Sequence, residues 1–525
     1  MRRRSAHRRG LILAAAGGAL ALLAAACGGG TGGGGAKSAL VIGTTDSQVT
    51  SIDPAGSYDL PSSTLQYNIF QQLLRIPPGG NKPVPDLAQK CDFTDPKTYK
   101  CTLKSGQKFS NGDPVTAKDV KFSFDRNKKI DDPNAAWSIY DASFKSVDAP
   151  DDSTVIFHLN APDATWPVKL TYSAASVVDS KVFPADKKLD DTKVVGSGHY
   201  TLTKYDKGQQ AVLAVNDKYG GSDKAKAKTV IVRYYQKSSA LKLAVEQGDV
   251  DVAYRNLAPT EFKSLKSESD KGVKVVSGNG TEIRYLVFNV KRKPYDNKYV
   301  RQALAQTIDR DQINKNIYNG DFQPLYSPIP VGLDGHKDVF KDKYGAPDPA
   351  KAKALLKKGG EKAPLPITLW YTPTHYGPAT ADEMNEIKRQ LDASGVFKTT
   401  LKNTEWVQYQ TDYKKIYGGF HLGWFPDYPD SDDYLAPFYL KGGFYANGYD
   451  NPKVNDLIAK EEGEIDLQKR IPVMDQIQQI TADDVPMLPL WQAKQQAAVR
   501  DGIDGVQSTF DPSYTFRFWV ISKKA

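Results

Sequence analysis

The feature that most constrains this chain is Cys27, together with the segments on each side of it. Five arginines within the first nine residues precede an apolar run over residues 11–26, and seven glycines follow within residues 28–35. A basic stretch, a short apolar stretch and small residues at its end are typical of a secretory signal. The apolar run is too short and too rich in alanine and glycine to be a good membrane span. The sequence therefore predicts that residues 1–26 are a signal peptide and that the rest of the chain folds after export.

The position of Cys27 directly after the small residues resembles the bacterial lipobox, in which this cysteine is lipidated and becomes the mature N-terminus. The lipobox usually has leucine three residues before the cysteine, where this chain has Ala24. The alternative is an ordinary secreted protein cut near Ala26, with Cys27 a free thiol. The glycines predict a flexible tether over residues 27–38. We expect an anchor on the outer face of the cytoplasmic membrane, reached by the Sec or the twin-arginine route.

The chain that remains after the signal has about 500 residues, enough for a large core and two or three domains. Hydrophobic residues make up 40% and aromatic residues 10% of the sequence, as expected of a folded globular protein. The formal net charge is +9, and the five leader arginines account for most of it. The small positive balance that is left gives no reason to expect a nucleic-acid partner.

The cysteines and histidines indicate a disulfide and no metal site. Cys91 and Cys101 flank nine residues with Asp95-Pro96 near the middle, which is a turn signal, and the flanks alternate as in paired strands. In an exported chain, cysteines on the facing strands of a hairpin are expected to form a disulfide, and free thiols are the alternative. The six histidines are scattered without ligand-type spacing, so neither a metal nor another cofactor is predicted.

Helical and strand patterns alternate through two long stretches, which predicts an α/β fold with two lobes. Thr116 to Asp119 form a capping box before a helix, residues 64–74 are predicted to be helical, and residues 299–317 are predicted to form one helix. The region of residues 61–190, rich in hairpins, is predicted to be an inserted subdomain of the first lobe. The predicted lobes are residues 39–60, 191–282 and 491–525 for lobe I, and residues 283–490 for lobe II.

The sequence shows no catalytic motif. It contains no zinc-protease spacing, no Gly-x-Ser-x-Gly elbow and no phosphate-binding loop, and nothing selects a pair among its 61 acidic residues. An exported, tethered chain with two lobes and no visible nucleophile is better interpreted as a binding protein than as an enzyme. A secreted lipoprotein hydrolase is the alternative from a different class.

Seven segments that follow one another along the chain carry a family resemblance. They are Phe109-Ser110-Asn111-Gly112-Asp113-Pro114, Gly196-Ser197-Gly198-His199-Tyr200, Asn216-Asp217-Lys218-Tyr219, Gly248-Asp249-Val250-Asp251-Val252-Ala253, Phe288-Asn289, Pro294-Tyr295-Asp296 with Val300-Arg301-Gln302-Ala303-Leu304, and Pro486-Met487-Leu488-Pro489-Leu490. In this order they resemble the extracellular solute-binding proteins of family 5, the oligopeptide, dipeptide and nickel receptors of ABC importers. The resemblance implies a periplasmic-binding-protein-like fold (type II, large cluster with an extra subdomain), whose lobes close by a hinge near residues 283–290 and 489–494.

A further segment, Gly423-Trp424-Phe425-Pro426-Asp427-Tyr428-Pro429-Asp430, resembles the stretch that holds the ligand's α-amino group in the peptide-binding members. The resemblance places that role on Asp427, with Trp424 and Tyr428 as aromatic walls and Phe425 in place of a commoner small residue. A buried peptide ammonium needs an ionised hydrogen-bonding partner. The alternative is a surface turn rich in Asp and Pro.

The partner of the ligand's carboxylate is less evident from the sequence. In dipeptide receptors an arginine in the region of residues 370–376 binds this group, and this chain has none there. His375 or a nearby lysine is the candidate for a receptor of longer peptides, and the alternative is that His375 is an exposed loop histidine.

The sequence thus predicts a monomeric receptor, held to the membrane by a lipid on Cys27, that captures oligopeptides and delivers them to the permease and ATPase subunits of an ABC importer. The same fold with another solute, such as an oligosaccharide or a metal chelate, is the runner-up.

Overall fold

The computed structural model describes residues 38–373 and 375–524. The predicted signal peptide, Cys27 and all but the last residue of the predicted tether lie outside this range. From Ala39 onward the described chain forms one compact unit. Its strands are β1 Leu40–Thr44, β2 Leu74–Arg75, β3 Val84–Pro85, β4 Ala88–Asp95, β5 Thr98–Leu103, β6 Phe144–Asp148, β7 Thr154–Leu159, β8 Tyr200–Asp206, β9 Gln210–Val215, β10 Thr229–Tyr234, β11 Val252–Tyr254, β12 Val273–Phe288, β13 Gln323–Pro324, β14 Leu365–Tyr371, β15 Phe397–Asn403, β16 Gly419–Trp424, β17 Met487–Arg500, β18 Ile503–Asp504 and β19 Ser522–Lys523.

Helices lie between the strands through most of this unit. They are α1 Leu60–Ile69, α2 Ala117–Ile130, α3 Ser138–Asp141, α4 Trp166–Lys169, α5 Ser238–Gln247, α6 Pro259–Ser267, α7 Lys298–Thr307, α8 Arg310–Tyr318, α9 Val339–Tyr344, α10 Pro349–Lys358, α11 Thr380–Ala393, α12 Trp406–Tyr413, α13 Ala436–Tyr439, α14 Pro452–Glu462 and α15 Leu467–Asp484. Within the described ranges, no helix combines the length and the apolar character needed to cross a membrane.

A mixed sheet of eleven strands dominates the described residues. Its order is β15-β14-β16-β12-β17-β11-β1-β10-β9-β8, with β13 paired to β17. β1 is parallel to β10 and β11, and β14 is parallel to β15 and β16, as in helix–strand units of α/β proteins. The other neighbours in this sheet are antiparallel. The predicted α/β class is confirmed.

The long strands β12 and β17 connect the two parts of this sheet. They pair from Val273 and Arg500 to Asn279 and Lys494, and the pairing resumes at Ile283 and Gln492 after a shift of register. Before the shift, β17 also pairs with β11, and after it β12 also pairs with β16. The interruption in the middle of both strands is where the candidate site lies.

Separate apolar cores lie along the chain. One core, which includes Leu40, Leu213 and Trp519, packs around β1 and β8–β11. Another, which includes Phe157 and Trp166, packs on a four-stranded sheet of order β4-β5-β7-β6. Two more are built from residues 283–493. The bounds given above for the lobes and the subdomain remain a prediction.

Residues near the C-terminus complete the first of these cores. The N–H of Phe518 donates to Asn68 Oδ1 at 2.9 Å, and Arg517 Nη2 donates to the carbonyl of Ile76 at 3.0 Å. Arg517 is fully buried and is paired with Asp511 at 2.6 Å. The strand β1 and residues 516–521 are thus parts of one core.

The hairpin of β4 and β5 carries the predicted disulfide. Cys91 and Cys101 are direct cross-strand partners with Cα atoms 4.1 Å apart, and their sulfur atoms are bonded. The predicted capping box is also confirmed, because the N–H of Thr116 donates to Asp119 Oδ2 at 2.9 Å at the start of α2.

Two helix predictions differ from the structure. The single helix predicted over residues 299–317 is two helices, because Ile308 is extended and Asp309 caps α8 by accepting the N–H of Gln312 at 3.0 Å. The helix predicted over residues 64–74 begins earlier, where Asp59 accepts the N–H of Ser62 at 2.8 Å, and it ends at Ile69. In both places a side-chain cap outweighs the apolar periodicity.

A buried ion pair joins α2 to the turn after β1. Arg126 Nη1 and Nη2 donate to the two carboxylate oxygens of Asp53 at 2.9 and 2.6 Å, and neither side chain is more than 1% exposed. Arg126 also donates to the carbonyls of Pro184 and Lys187. Asp53 accepts the N–H groups of Ala55 and Leu189 as well. The pair therefore organises three separate segments of backbone.

Candidate ligand-binding site

A cleft with a volume of about 110 Å³ lies where β12 and β17 change register. Its wall is formed by the turn after β11, by the middle of β12 and β17, and by the residues between β14 and α11. The wall combines aromatic rings with charged groups, chiefly Arg255, Glu282, Arg284, Tyr318, Tyr376 and Trp491. A concave, mostly apolar space with a few placed polar groups is the usual form of a small-ligand site.

Gly280 accounts for the change of register in β12. A Cβ atom at this position would lie 2.6 Å from the Tyr514 hydroxyl and 2.7 Å from the carbonyl oxygen of Ala493, so only glycine fits. The Tyr514 hydroxyl accepts the N–H of Glu282 at 3.1 Å, and Gln492 Nε2 donates to the Gly280 carbonyl at 2.7 Å. These contacts fix the irregular segment that brings Glu282 to the cleft.

Arg284 is a buried cation whose charge is matched locally. It donates to the Glu282 carboxylate and to the carbonyl of Tyr376 at 3.3 Å. Its guanidinium carbon lies 4.7, 5.1 and 5.6 Å from the ring centroids of Tyr376, Trp491 and Phe425. Arg284 therefore serves mainly to build the wall of the cleft.

Arg255 reaches the cleft from the turn that follows β11. Its Nε lies 2.7 Å from Asp46 Oδ2, and Nη1 lies 4.0 Å from Glu282 Oε2. Its guanidinium lies over the ring of Phe425, 4.6 Å from the centroid. Phe425 thus contacts both cleft arginines, although neither Phe425 nor Asp427 is among the described residues that line the cleft.

Asp427 lies in a group of tyrosines. The Tyr58 hydroxyl donates to Asp427 Oδ2 at 2.7 Å, and the ring of Tyr172 packs edge-on against Tyr58. Burial raises the pKa of the Asp427 carboxyl to about 7, and the Tyr58 hydrogen bond lowers it only in part. Burial and the Asp427 charge raise the pKa values of Tyr58 and Tyr172 as well. The Asp427 carboxyl is therefore placed where a cationic partner would favour its ionised form.

A second buried carboxylate, that of Asp433, holds this segment. Its Oδ2 accepts from Trp424 Nε1 and from the N–H of Asp427, each at 3.0 Å. Burial and the charge of Asp427 raise the pKa of Asp433. Ionising two nearby buried carboxyl groups costs free energy, because the negative charges repel each other. This arrangement therefore also favours a cation beside them.

Trp424 and Tyr428 pack into the protein. Trp424 is 7% exposed and lies edge-on to Phe438 and Phe444. Tyr428 is 6% exposed, and its hydroxyl donates to Asp432 Oδ2 at 3.3 Å. Neither is among the described residues that line the cleft. They shape the segment around Asp427, and their contact with a ligand stays a prediction.

His375 stacks on Trp406, with ring centroids 3.7 Å apart and planes 5° from parallel. The residue is exposed, and partial desolvation of its ring beside Tyr376 and Trp406, with the charges of Arg284 and Arg255, lowers its pKa. The imidazole is therefore neutral at ordinary pH and carries no charge toward a ligand carboxylate. Its role as that partner stays a prediction.

The sequence analysis did not select Arg255, Glu282 or Arg284. Arg284 interrupts the apolar run of residues 283–288, and a lone charge in a buried strand is a usable signal of an ion pair or a site. Arg255 stands two residues after the end of the family-like segment of residues 248–253. The backbone turn that places Arg255 in the cleft could not be read from residue types.

Comparisons with known proteins agree with this architecture. The model of the bacterial extracellular solute-binding proteins, family 5, middle region, matches residues 82–446. The chain is 29% identical over 489 residues to the probable D,D-dipeptide-binding periplasmic protein DdpA of Escherichia coli K12, covering 89% of this chain and 91% of that protein. It is 27% identical over 478 residues to the oligopeptide-binding protein OppA of Bacillus subtilis 168, covering 84% and 85%.

Among solved structures, the fold is similar to the ABC transporter-associated periplasmic binding protein DppA of Helicobacter pylori in complex with the peptide STSA. The TM-score is 0.80 at 25% identity, and the match covers 93% of this chain and 98% of that chain. An α/β unit of this architecture, with a cleft where its two long strands change register, is a solute-binding protein. This chain belongs to family 5 of the bacterial extracellular solute-binding proteins.

Proposed function

We propose that this protein is the receptor of an ABC importer and that it captures oligopeptides outside the cytoplasmic membrane. The observation that carries the proposal is the Asp427 carboxylate, held among tyrosines and close to a second carboxylate. A peptide N-terminus is a cation that fits this place, because it supplies the charge and the N–H donors that a desolvated carboxylate requires. The ligands named for the relatives, among them dipeptides, oligopeptides and the peptide STSA, support a peptide.

The remaining contacts of such a peptide would come from the cleft. An extended peptide satisfies its backbone with main-chain groups, as an added strand does. Side chains in water-containing pockets would give tolerance of sequence. Trp424 is 7% exposed and does not line the cleft, so it is not placed to serve there as a platform for a sugar.

Capture would proceed by closure of two lobes. β12 and β17 are the long strands that run through both parts of the large sheet, and their pairing is interrupted at the cleft. A few residues at such an interruption can absorb the backbone rotation of a hinge. The hydrogen bond of Tyr58 to Asp427 already joins residues from far apart in the chain across this region. The closed form would then report occupancy to the permease.

The experiment that tests the function is calorimetric titration of the purified protein, freed of bound material by reversible unfolding. Alanine peptides of two to six residues and cello-oligosaccharides are the titrants. We expect stoichiometric binding of at least one peptide, and mass spectrometry should recover that peptide intact. Saturable binding of a cello-oligosaccharide without binding of any peptide would favour the sugar receptor. Shortened peptide after incubation would favour a hydrolase.

We further propose that Cys27 is lipidated and anchors the mature protein to the membrane, as a monomer on a glycine-rich tether. The support is the sequence, in which Cys27 ends a signal-like segment and precedes seven glycines. We expect Cys27→Ala to move the protein from the membrane fraction to the soluble fraction of fractionated cells. The matched control is Cys101→Ala, which should stay with the membrane. A Cys27→Ala protein that sediments like the parent would contradict the anchor.

A further inference from the structure

We propose that Arg255 binds a carboxylate of the ligand in the cleft beside Phe425, an inference that rests on the proposed function and names the anionic end of its peptide. The ligand would then be held at two charged points, its ammonium at Asp427 and its carboxylate at Arg255. Nothing in the family resemblance selects Arg255. The inference comes from the backbone, the partners and the unused donors of this residue.

The backbone at Arg255 is held in an unfavourable conformation. Arg255 and Asn256 have φ values of 70° and 61°, the left-handed region that side-chain-bearing residues seldom adopt. β11 ends at Tyr254, and this turn leads the chain to the cleft instead of continuing the ladder with β17. Local strain of this kind persists where surrounding contacts enforce it, and it concentrates at ligand sites.

Asp46 provides that enforcement. Its Oδ2 lies 2.7 Å from Arg255 Nε, and its Oδ1 accepts from Asn256 Nδ2 at 2.6 Å. One carboxylate therefore fixes both left-handed residues. Its charge also lies beside the guanidinium and limits where that group can lie, although Arg255 Nε has no hydrogen-bond partner among the described residues.

The terminal nitrogens of Arg255 are available for a ligand. Nη1 and Nη2 donate no hydrogen bond to any described residue, and the nearest oxygen of Glu282 is 4.0 Å from Nη1. The side chain is 13% exposed and is supported from one face by Phe425. A planar guanidinium with two free amino groups matches the two oxygens of a carboxylate, and desolvation strengthens such a pair.

Other polar atoms around the cleft also lack partners. Tyr254 Oη, Arg284 Nε and Gln495 Oε1 are buried and have no hydrogen-bond partner among the described residues. All three residues line the cleft and are at most 4% exposed. Leaving buried polar groups unpaired is costly, and Arg255 Nε belongs to the same set, so the wall around Arg255 holds polar atoms that the protein alone does not satisfy.

The two other cations of the cleft are less suited to this role. Arg284 is committed to Glu282 and to the carbonyl of Tyr376. Lys494 lines the cleft but is exposed, so its charge is screened by water. The neutral ring of His375 adds no charge. Arg255 is thus the cation with both a fixed position and unused donors.

The test uses the alanine peptide that binds most tightly in the length series, as the free acid and as the C-terminal amide. We expect the amide to bind the parent at least tenfold more weakly than the acid. Arg255→Gln should bind both forms equally, at about the level of the parent with the amide. Lys121→Gln, which removes an exposed charge at a residue that does not line the cleft, should behave like the parent. The melting temperature of each variant without ligand shows whether it folds. The comparison of the free acid with the amide in the parent protein tests the inference without any variant.

A second arm distinguishes the two sources of a carboxylate. The same peptide ending in glutamate, as the amide, carries only a side-chain carboxylate. If it regains affinity in the parent and not in Arg255→Gln, the assignment stands with an acidic side chain as an accepted source. If amidation costs nothing, and the glutamate does not tighten binding, the inference is overturned. If N-acetylation weakens peptide binding and amidation does not, this inference alone is overturned. If the protein binds none of the free peptides, the proposed function is overturned as well.

Discussion

Asp427→Ala is expected to weaken binding of an alanine peptide with a free N-terminus by more than tenfold, while the melting temperature of the empty protein stays nearly unchanged. Removing one partner of a buried, hydrogen-bonded charge pair typically costs about 3–5 kcal/mol. The stability of the empty protein should change little. Without a ligand, the Asp427 carboxyl is desolvated, and the described side-chain hydrogen bond that it accepts is the one from Tyr58. Calorimetry with parent and variant measures the loss.

N-acetylation of the peptide is expected to weaken binding to the parent by a similar factor. The two losses should not add, because both remove the same interaction. Tyr58→Phe, which deletes only the hydroxyl that donates to Asp427, is the matched control and should have a smaller effect. Fully additive losses, or acetylated peptide binding as well as free peptide, would remove Asp427 from this role.

The pH dependence of binding gives a second readout of the same carboxylate. Because the pKa of Asp427 in the empty protein is raised to about 7, the group is protonated below that pH and must ionise to pair with an ammonium. Affinity should therefore fall as the pH drops below about 7, by up to about tenfold per pH unit. Above about pH 8 the peptide's own amino group loses its charge. In Asp427→Ala the decline on the acid side should disappear.

Arg126→Met is expected to destabilise the folded protein strongly, with a loss of about 3–5 kcal/mol in the free energy of unfolding. The substitution leaves Asp53 buried without its cation and removes the donor to the carbonyls of Pro184 and Lys187. Urea unfolding followed by circular dichroism measures the change.

The matched control is Lys121→Met on the same helix. Lys121 pairs with Asp125, but both side chains are more than 40% exposed, so the change should be small. The double variant Arg126→Met, Asp53→Asn should lose less free energy of unfolding than the sum of the two single losses. In the double variant, no unpaired charge remains buried. An Arg126→Met protein as stable as the parent would show that this pair does not support the fold.

Local signals in the sequence account for much of the fold and for little of the site. The capping box at Thr116 and the hairpin of Cys91 and Cys101 depend on neighbouring residues, so both can be predicted from the sequence. The break at Ile308 is not, because apolar periodicity continues through it and only the cap at Asp309 ends the first helix. The surroundings of Asp427 depend on Tyr58, 369 residues away, and no local pattern encodes that contact.

The apolar core that β1 shares with residues 516–521 has a consequence for folding after export. β1 lies between β10 and β11, and the core around it is complete only when Arg517 and Phe518 reach Ile76 and Asn68. Contacts so distant in sequence form late, because a long loop must close before they are gained. If the chain is exported unfolded by the Sec route, it would thus expose an unfinished core until its last residues had crossed, and proteases and chaperones outside the membrane would meet it in that state.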